Sequence, residues 1–315
     1  MSDKTILLAD TFHESFIPLL KEAGFNCVEA YHWEPEQIII GLKDAIGIAI
    51  RSRFPLDENI LKHAPQLKFI ARGGAGMENI DVQFAVQMGI ACLNAPEANR
   101  DAVGEHALMM LLALLNKLIK SDHEVRNGIW LREENRGNEL QGKTIGIIGF
   151  GNMGSAFAEK LMGFGVKIVA YDKYKTIDTN HYPYVKQVSL EELQYDADII
   201  SLHVPLTEET RYLINNRFIS CCRKNIILIN TARGKCLSTT DVVYHLKNGK
   251  VTGVCLDVHE YETTSFEKLE TVPEPFQYLI QSPNTILTPH IAGWTHESNR
   301  KIAEVLVKKI KRLSL

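Results

Sequence analysis

The segment TIGIIGFGNMGSAFAEKL, residues 144–161, runs an apolar strand-length stretch into a glycine-rich turn and then into a helical period. Gly149-Phe150-Gly151-Asn152-Met153-Gly154 fits the spacing G-x-G-x-x-G. In that spacing the first glycine permits a tight turn, the second lets the backbone approach a pyrophosphate, and the third lets the helix sit close to its strand. The helix start then offers free N–H groups and the positive end of its dipole to phosphates. The next strand, KIVAYD, ends in Asp172, about 20 residues on, where the partner of a ribose 2′-hydroxyl belongs. A carboxylate there repels a 2′-phosphate, which favours NAD over NADP, with Lys173 and Lys175 close by in sequence. A flavin or S-adenosylmethionine site shares part of this pattern, as does a glycine turn that binds nothing.

Downstream of this segment, KIVAYD, ADIISLHV, NIILINTA, VTGVCLDV and TILTPH read as five further strands, with helices between most of them. With the opening strand KTIGIIGF they make a doubly wound, six-stranded nucleotide-binding sheet. Upstream lie more than 140 residues that such a sheet does not need. They alternate as well: KTILLAD, NCVEAY, AIGIAIRS, LKFIARGG and IACLNAP are apolar runs of strand length. HESFIPLLKEAG, EPEQIIIGLK, LDENILKHAP and NIDVQFAVQMG have helical periods between them. The first 95 or so residues are therefore an α/β unit of their own with a mostly parallel sheet. Residues 101–128 read as one long helix with an almost unbroken apolar middle from Ala107 to Leu115, either a core helix or a subunit contact that would make a homodimer. The final segment places Ile302, Val305, Leu306, Ile310 and Leu313 on one helical face, which is expected to pack on the first unit. The predicted organisation is α/β with two Rossmann/flavodoxin-like domains of doubly wound parallel sheets. The nucleotide domain, 98–292, is inserted into a substrate domain made of 1–97 plus 293–315. Hinges near Pro96 and Gly293 would flank a cleft, and clefts between domains commonly hold ligands.

Composition narrows the class. The chain has 315 residues, 45% hydrophobic and 23% charged, with a formal net charge of −3. That balance gives no footprint for nucleic acid or an anionic membrane. Its six cysteines form no Cys-x-x-Cys motif and its histidines are scattered, so neither a metal site nor a disulfide framework is expected. The N-terminus lacks the pattern of a signal peptide, and no apolar run reaches the length of a membrane span. A reduced, cytoplasmic protein is expected.

Three strand ends carry further candidates. LINTARGKC puts Arg233 just past an apolar strand. GVCLDVHEYE puts Asp257 at a strand end, with Glu260 and Glu262 in the loop beyond. TILTPHIAGWT puts His290 after Pro289. In open α/β sheets the ligand crevice lies at the carboxyl ends of the strands. Reducing a 2-oxo acid beside a nicotinamide needs a cation to hold the carboxylate and polarise the carbonyl, and arginine provides it with a fixed fork of donors. It also needs a proton donor near neutrality, which suits histidine, and a glutamate beside that histidine would favour the imidazolium and fix the ring.

These motifs, in this order, resemble the D-2-hydroxyacid dehydrogenase family, and within it the short-form D-3-phosphoglycerate dehydrogenases. The likeness spans nearly the whole chain: RSR at 51–53, GGAGMENID at 73–81, NAPEANRDAVGEHAL at 94–108, ELQGKTIGIIGFGNMG at 139–154, HVPLTEET at 203–210, NTARG at 230–234, LDVHEYE at 256–262 and TPHIAGWT at 288–295. The resemblance implies a catalytic Arg233, Glu262 and His290, the glutamate being the one five residues past Asp257. Where the family has proline after that glutamate, this chain has Thr263. The resemblance also implies NAD contacts at Gly149, Gly151, Asn152, Met153, Gly154, Asp172, His203, Val204, Thr210, Thr231, Ala232, Asp257, Ala292 and Gly293. A carboxylate cradle would be formed by the backbone of Gly74, Ala75 and Gly76, with further substrate contacts at Arg51, Ser52 and Asn99. Arg51 and Arg53, one residue apart, would point the same way on an extended segment and together hold a phosphate. The implied activity is NAD-dependent interconversion of a small D-2-hydroxy acid and its 2-oxo acid, 3-phosphoglycerate to 3-phosphohydroxypyruvate in serine biosynthesis before all others. Hydroxypyruvate or glyoxylate reduction is the alternative, and it would not need both arginines. An NAD(H)-responsive corepressor is a third reading. Formate oxidation is disfavoured, because formate dehydrogenases of this family have Gln where Glu262 stands.

Overall fold

The computed structural model describes residues 4–263 and 268–313. The chain forms two compact units, one of Met1–Asn99, Thr263–Lys268 and Trp294–Leu315, the other of Arg100–Glu262 and Leu269–Gly293.

The first unit alternates β1 (Thr5–Leu8), α1 (Phe16–Glu22), β2 (Asn26–Glu29), α2 (Pro35–Leu42), β3 (Gly47–Ile50), α3 (Glu58–Leu61), β4 (Phe69–Arg72), α4 (Val82–Gln87) and β5 (Ala91–Leu93). Its strands are all parallel, in the order β2-β1-β3-β4-β5. The central strands β3 and β4 are buried at every position, which is why they read as continuous apolar runs and not as alternating ones. Gly24 and Gly89 follow α1 and α4 with φ of +85° and +73°, the left-handed stop that glycine provides without strain.

The second unit opens with α5 (Arg100–Leu115) and α6 (Leu118–Arg126). The single long helix expected over 101–128 is thus two helices, bent by 61°. Lys117 breaks it with φ of +50°, and the carbonyl of Leu115 accepts from the N–H of Asn138 instead of continuing the helical ladder. α5 is a core helix: Ala107, Met110, Leu111 and Leu115 are buried against the sheet. Gly104 packs so closely that a Cβ would lie 3.0 Å from the backbone of Ala156.

The sheet of this unit follows as β6 (Thr144–Ile148), α7 (Asn152–Lys160), β7 (Lys167–Tyr171), β8 (Val185–Gln187), α8 (Leu190–Asp196), β9 (Ile199–Leu202), α9 (Asn216–Cys221), β10 (Ile226–Asn230), α10 (Thr239–Lys247), β11 (Val251–Leu256), α11 (Glu274–Gln281) and β12 (Thr285–Leu287). Among the described residues it has seven parallel strands in the order β12-β11-β10-β9-β6-β7-β8. The expected six strands are all present. The additional one, β8, is a three-residue edge strand with a single buried side chain, too short to show a period. Strand order reverses at β6, which lies between β7 and β9. That switch point is where an open α/β sheet leaves its crevice.

The last helix, α12 (His296–Lys311), belongs to the first unit and packs on α1, β4 and β5. Ile302, Leu306, Val307 and Ile310 are buried there, and Val305 and Leu313 are partly buried. Each such side chain contributes about 1.5–3 kcal/mol. Thr295 caps the helix start through the N–H of Ser298, and Lys308, Lys309 and Lys311 sit in the last turn, favourable to the dipole.

Candidate active site

The glycine turn sits between β6 and α7. Gly149 has φ of +89°, and a Cβ on it would lie 2.6 Å from the carbonyl oxygen of His203. A Cβ on Gly154 would lie 2.1 Å from the carbonyl oxygen of Gly149, so α7 can approach β6 only through glycine. At Gly151 nothing stands within 4 Å of a Cβ position. The turn is therefore packed by its first and third glycines and open at its second. Gly151 caps α7 without a side-chain hydrogen bond, and the first turn, which begins with Asn152 and Met153, holds no acid, so its N–H groups face outward for an anion.

Asp172, at the end of β7, is tied to this turn. Its Oδ2 accepts from the N–H of Phe150 at 2.8 Å, and its Oδ1 accepts from the N–H groups of Tyr174 and Lys175. The carboxylate is oriented by three backbone donors beside the open glycine.

Two polar atoms at the ends of neighbouring strands lack a partner among the described residues: Nδ1 of His203 after β9 and Oγ1 of Thr231 after β10. Both are sealed from solvent. His203 is partly exposed as a residue, but not at this nitrogen, and its Nε2 is taken by the hydroxyl of Ser201 at 2.8 Å. Desolvation pushes the imidazole down to about 3, so the ring is neutral. Val204 packs against Gly149. Thr210 is a turn staple: its hydroxyl bonds the carbonyl of Pro205 at 2.6 Å and accepts from the N–H of Thr207, so it is committed to its own loop.

Arg233 leaves β10 in extended conformation. Asn230, which the motif contained but sequence reading passed over, shapes that exit. Its side chain accepts from the N–H of Ala232 and donates to the carbonyl of Arg233, both at 3.0 Å. Gly234 then abuts the loop after β11, where a Cβ would lie 2.0 Å from the carbonyl oxygen of His259.

That loop separates the two glutamates. Glu260 accepts from the hydroxyl of Tyr212 and from the N–H of Thr239 at the start of α10, both at 2.9 Å. Glu262 instead places Oε2 2.8 Å from Nδ1 of His290, and its Oε1 accepts from the N–H of His259. Their side chains are 10% and 24% exposed, so the pair is screened from water more at the carboxylate than at the ring.

His290 has φ of +57°, costly for a residue with a Cβ, and its surroundings impose it. Its N–H donates to the carbonyl of Asp257 at 2.8 Å. The Asp257 carboxylate, 1% exposed, accepts from the hydroxyl of Thr288 at 2.6 Å and from the N–H groups of Ile291 and Ala292, both at 2.8 Å. His106 of α5 reaches the same cluster, with Nε2 3.0 Å from the Thr288 hydroxyl and 3.4 Å from Asp257. Burial pushes the Asp257 carboxyl up, but His106, Thr288 and the N–H groups of Ala292 and Ile291 together hold it below the ordinary carboxylate range. Asp257 therefore serves as the anchor of the 288–292 loop, and Ala292 and Gly293 follow it to the end of the unit.

The first unit carries the remaining candidates. The N–H of Gly74 bonds the carbonyl of Arg72, so of the expected three-residue cradle only Ala75 and Gly76 keep N–H groups without a partner among the described residues. Oδ1 of Asn99 is buried and has no partner among the described residues, and Ser52 is half-buried. The two arginines diverge. Arg53 donates to the carbonyls of Ala9, Ala30 and Trp33, at 3.1, 3.0 and 2.7 Å, and spends its guanidinium on the fold. Arg51 lies 4.0 Å over the ring of Trp294. The expected two-arginine phosphate clamp is not formed, because the segment bends into a turn after β3 instead of staying extended.

Among the described residues no group of three or more His, Cys, Asp or Glu side chains is placed to hold a metal ion, and no single helix is long and apolar enough to cross a membrane.

Residues 108–292 match the family model described as D-isomer specific 2-hydroxyacid dehydrogenase, NAD binding domain. The chain is 36% identical to hydroxypyruvate reductase of Thermotoga maritima over 90% of its own length and 89% of that protein. It is 33% identical to D-3-phosphoglycerate dehydrogenase of Methanocaldococcus jannaschii over 98% of its length, but spans only 57% of that longer protein. Among solved structures it superimposes on D-lactate dehydrogenase of Aquifex aeolicus, complexed with NAD and lactic acid. The TM-score is 0.82 at 30% identity, covering 98% of this chain and 95% of that one.

Proposed function

The chain belongs to the D-isomer specific 2-hydroxyacid dehydrogenase family, and from that premise we propose that it is an NAD-dependent reductase of a small 2-oxo acid with an uncharged side chain, hydroxypyruvate or glyoxylate. The observation that carries the reading is the 2.8 Å contact between Glu262 and Nδ1 of His290. It fixes Nδ1 as the hydrogen-bearing nitrogen and leaves Nε2 to exchange a proton with the substrate oxygen.

The residues present fit NAD. Gly151 and the start of α7 would receive the pyrophosphate, and Asp172 would receive a ribose hydroxyl. Nδ1 of His203 and Oγ1 of Thr231 are sealed polar atoms that lack partners among the described residues. When bound, the nicotinamide gives or takes the hydride at the carbon bearing the substrate oxygen. Arg233 holds the substrate carboxylate through its fork of donors and polarises the adjacent carbonyl. His290 delivers the proton to that carbonyl oxygen in reduction and removes it in oxidation. Glu262 holds the ring in its tautomer throughout, and Asp257 holds the loop that presents it.

Arg53 supports this reading of the substrate side chain. With its guanidinium on three carbonyls, one arginine of the RSR motif is withdrawn from phosphate binding, which favours hydroxypyruvate or glyoxylate over a phosphorylated acid. The guanidinium of Arg51 makes no hydrogen bond among the described residues, and on that observation 3-phosphoglycerate oxidation, a step of serine synthesis, is kept as the second reading. Steady-state NADH oxidation with hydroxypyruvate, glyoxylate, pyruvate and phosphohydroxypyruvate tests the choice. A clear preference for phosphohydroxypyruvate, lost in Arg51→Ala, overturns the first reading in favour of the second.

The proposal extends to assembly. Leu118, Ile119, Val125, Ile129, Trp130 and Leu131 are all at least 41% exposed within one stretch from α6 onward. A patch of that kind marks an interface, and its occupant is a second copy of this chain.

A further inference from the structure

The loop after β7 and the loop after β9 are joined by one carboxylate. Oε1 of Glu209 lies 2.5 Å from Nζ of Lys173, and Oε2 lies 2.5 Å from the hydroxyl of Tyr174. Both oxygens are thus occupied by consecutive residues that directly follow Asp172. The Glu209 loop is itself held: the Thr210 hydroxyl staples it to the carbonyl of Pro205 and the N–H of Thr207. The mutual hydrogen bond lowers the Glu209 carboxyl and raises the Lys173 ammonium, so both stay charged across the neutral range.

The charges around Asp172 make this bridge a selector. An acid at the end of this strand accepts ribose hydroxyls and repels a 2′-phosphate, but a neighbouring lysine can cancel that repulsion. Lysines stand one and three residues after Asp172. Lys173 is the nearer in sequence, and it is captured by a second carboxylate from the facing loop. Resting on the placement of a ribose at Asp172, we propose that Glu209 sets the preference for NADH over NADPH by holding Lys173 away from the 2′-position. Removing the charge of Glu209 releases the ammonium. Asp172 stays fixed by its three backbone donors.

The test is isothermal titration of NADH and NADPH into the wild-type chain, E209Q, K173M, the double variant E209Q/K173M and D172A. The bridge is solvent-exposed, so its loss leaves the fold intact, and a modest effect is expected because exposed pairs are screened. In E209Q the ratio of the NADPH to the NADH dissociation constant falls by about fivefold, an effect of the size one screened charge exerts. In E209Q/K173M the ratio returns to within about twofold of the wild-type value, because the gain needs the freed ammonium. An unchanged ratio in E209Q overturns the proposal, as does a gain that survives the loss of Lys173. D172A separates this from the reading beneath it. If D172A alters NADH affinity while E209Q is silent, the bridge is only a surface contact. If D172A alters neither cofactor's affinity, the ribose placement itself falls.

Discussion

Gly234 and the carbonyl of His259 are in backbone contact: a Cβ on Gly234 would lie 2.0 Å from that oxygen and 2.6 Å from the N of Glu260. The contact sets the spacing between the Arg233 turn and the loop that carries Glu262. A side chain there must push the two loops apart, because the obstacle is backbone and cannot rotate away. Gly234→Ala is therefore expected to lower kcat for 2-oxo acid reduction by about 100-fold, the scale of a 1 Å misplacement. NADH affinity, on the proposed binding at the turn between β6 and α7, stays within about threefold, a difference of well under 1 kcal/mol. Loss of NADH binding in parallel with kcat would show that the substitution has disturbed the whole sheet instead.

The His290–Glu262 pair makes its own prediction. His290→Ala removes the proposed proton donor and is expected to cost about 10²–10⁴ in kcat, the usual worth of a general acid. Glu262→Gln keeps a hydrogen-bond acceptor for Nδ1 but discards the charge, so it should retain more activity than Glu262→Ala, which also frees the ring to turn. Stopped-flow single turnovers read the chemical step directly. Equal loss in both Glu262 variants would mean that charge alone matters and that the tautomer is held by other groups.

Much of this arrangement was legible in the sequence, and the unread parts have physical reasons. The strands of both sheets were visible because buried parallel strands are continuous apolar runs, and G-x-G-x-x-G was visible because two close approaches, at Gly149 and Gly154, and one open position, at Gly151, each favour a glycine. The break at Lys117 was not, since its cause is the remote N–H of Asn138 taking the carbonyl of Leu115. Nor was the fate of Arg53, whose three acceptors are carbonyls 20–44 residues away in sequence. His106 was hidden inside an apolar helix, with no local signal that it reaches Thr288 and Asp257 from 182 and 151 residues away. What separates Glu262 from Glu260 is likewise a matter of tertiary partners, Tyr212 and Thr239 for one and His290 for the other.

The two arginines of the RSR motif should separate in the laboratory as they do in space. Arg53→Met deprives three carbonyls of their donor and is expected to destabilise the protein by about 1–3 kcal/mol, read as a lowered midpoint in urea. Arg51→Met removes a partly buried cation that stacks on Trp294, and its effect should appear in the KM for substrate more than in stability. An Arg53 variant of unchanged stability would return that residue to the candidates for phosphate binding.

The exposed apolar stretch beyond α5 gives a prediction about assembly. Trp130 is 76% exposed, so a charge there costs the monomer little. Trp130→Glu should convert a concentration-dependent dimer into a monomer in sedimentation velocity while leaving the far-UV circular dichroism unchanged. A wild-type chain that is monomeric at about 100 μM, a concentration far above the dissociation constant of a stable interface, would refute the homodimer.

His203 gives a prediction in pH. Its imidazole is pushed from 6.5 down to about 3 by desolvation, so the folded state keeps it neutral where the unfolded chain takes up a proton. A depressed histidine works against stability as acid is added: above 6.5 neither state binds the proton and nothing is lost, and below 6.5 the unfolded state alone binds it. Stability should then fall as pH drops from 6.5 toward 3, by about 2 kcal/mol at pH 5, at 1.36 kcal/mol per unit. His203→Gln, which carries no titrating group, should lose this slope and show a flatter urea midpoint between pH 7 and pH 5, whatever its stability at pH 7. NADH bound to the wild type should not change the sign, since a hydrogen bond to Nδ1 of the neutral ring leaves the proton just as excluded. A wild-type profile flat from pH 7 to pH 5 would mean that solvent reaches the ring nitrogens after all.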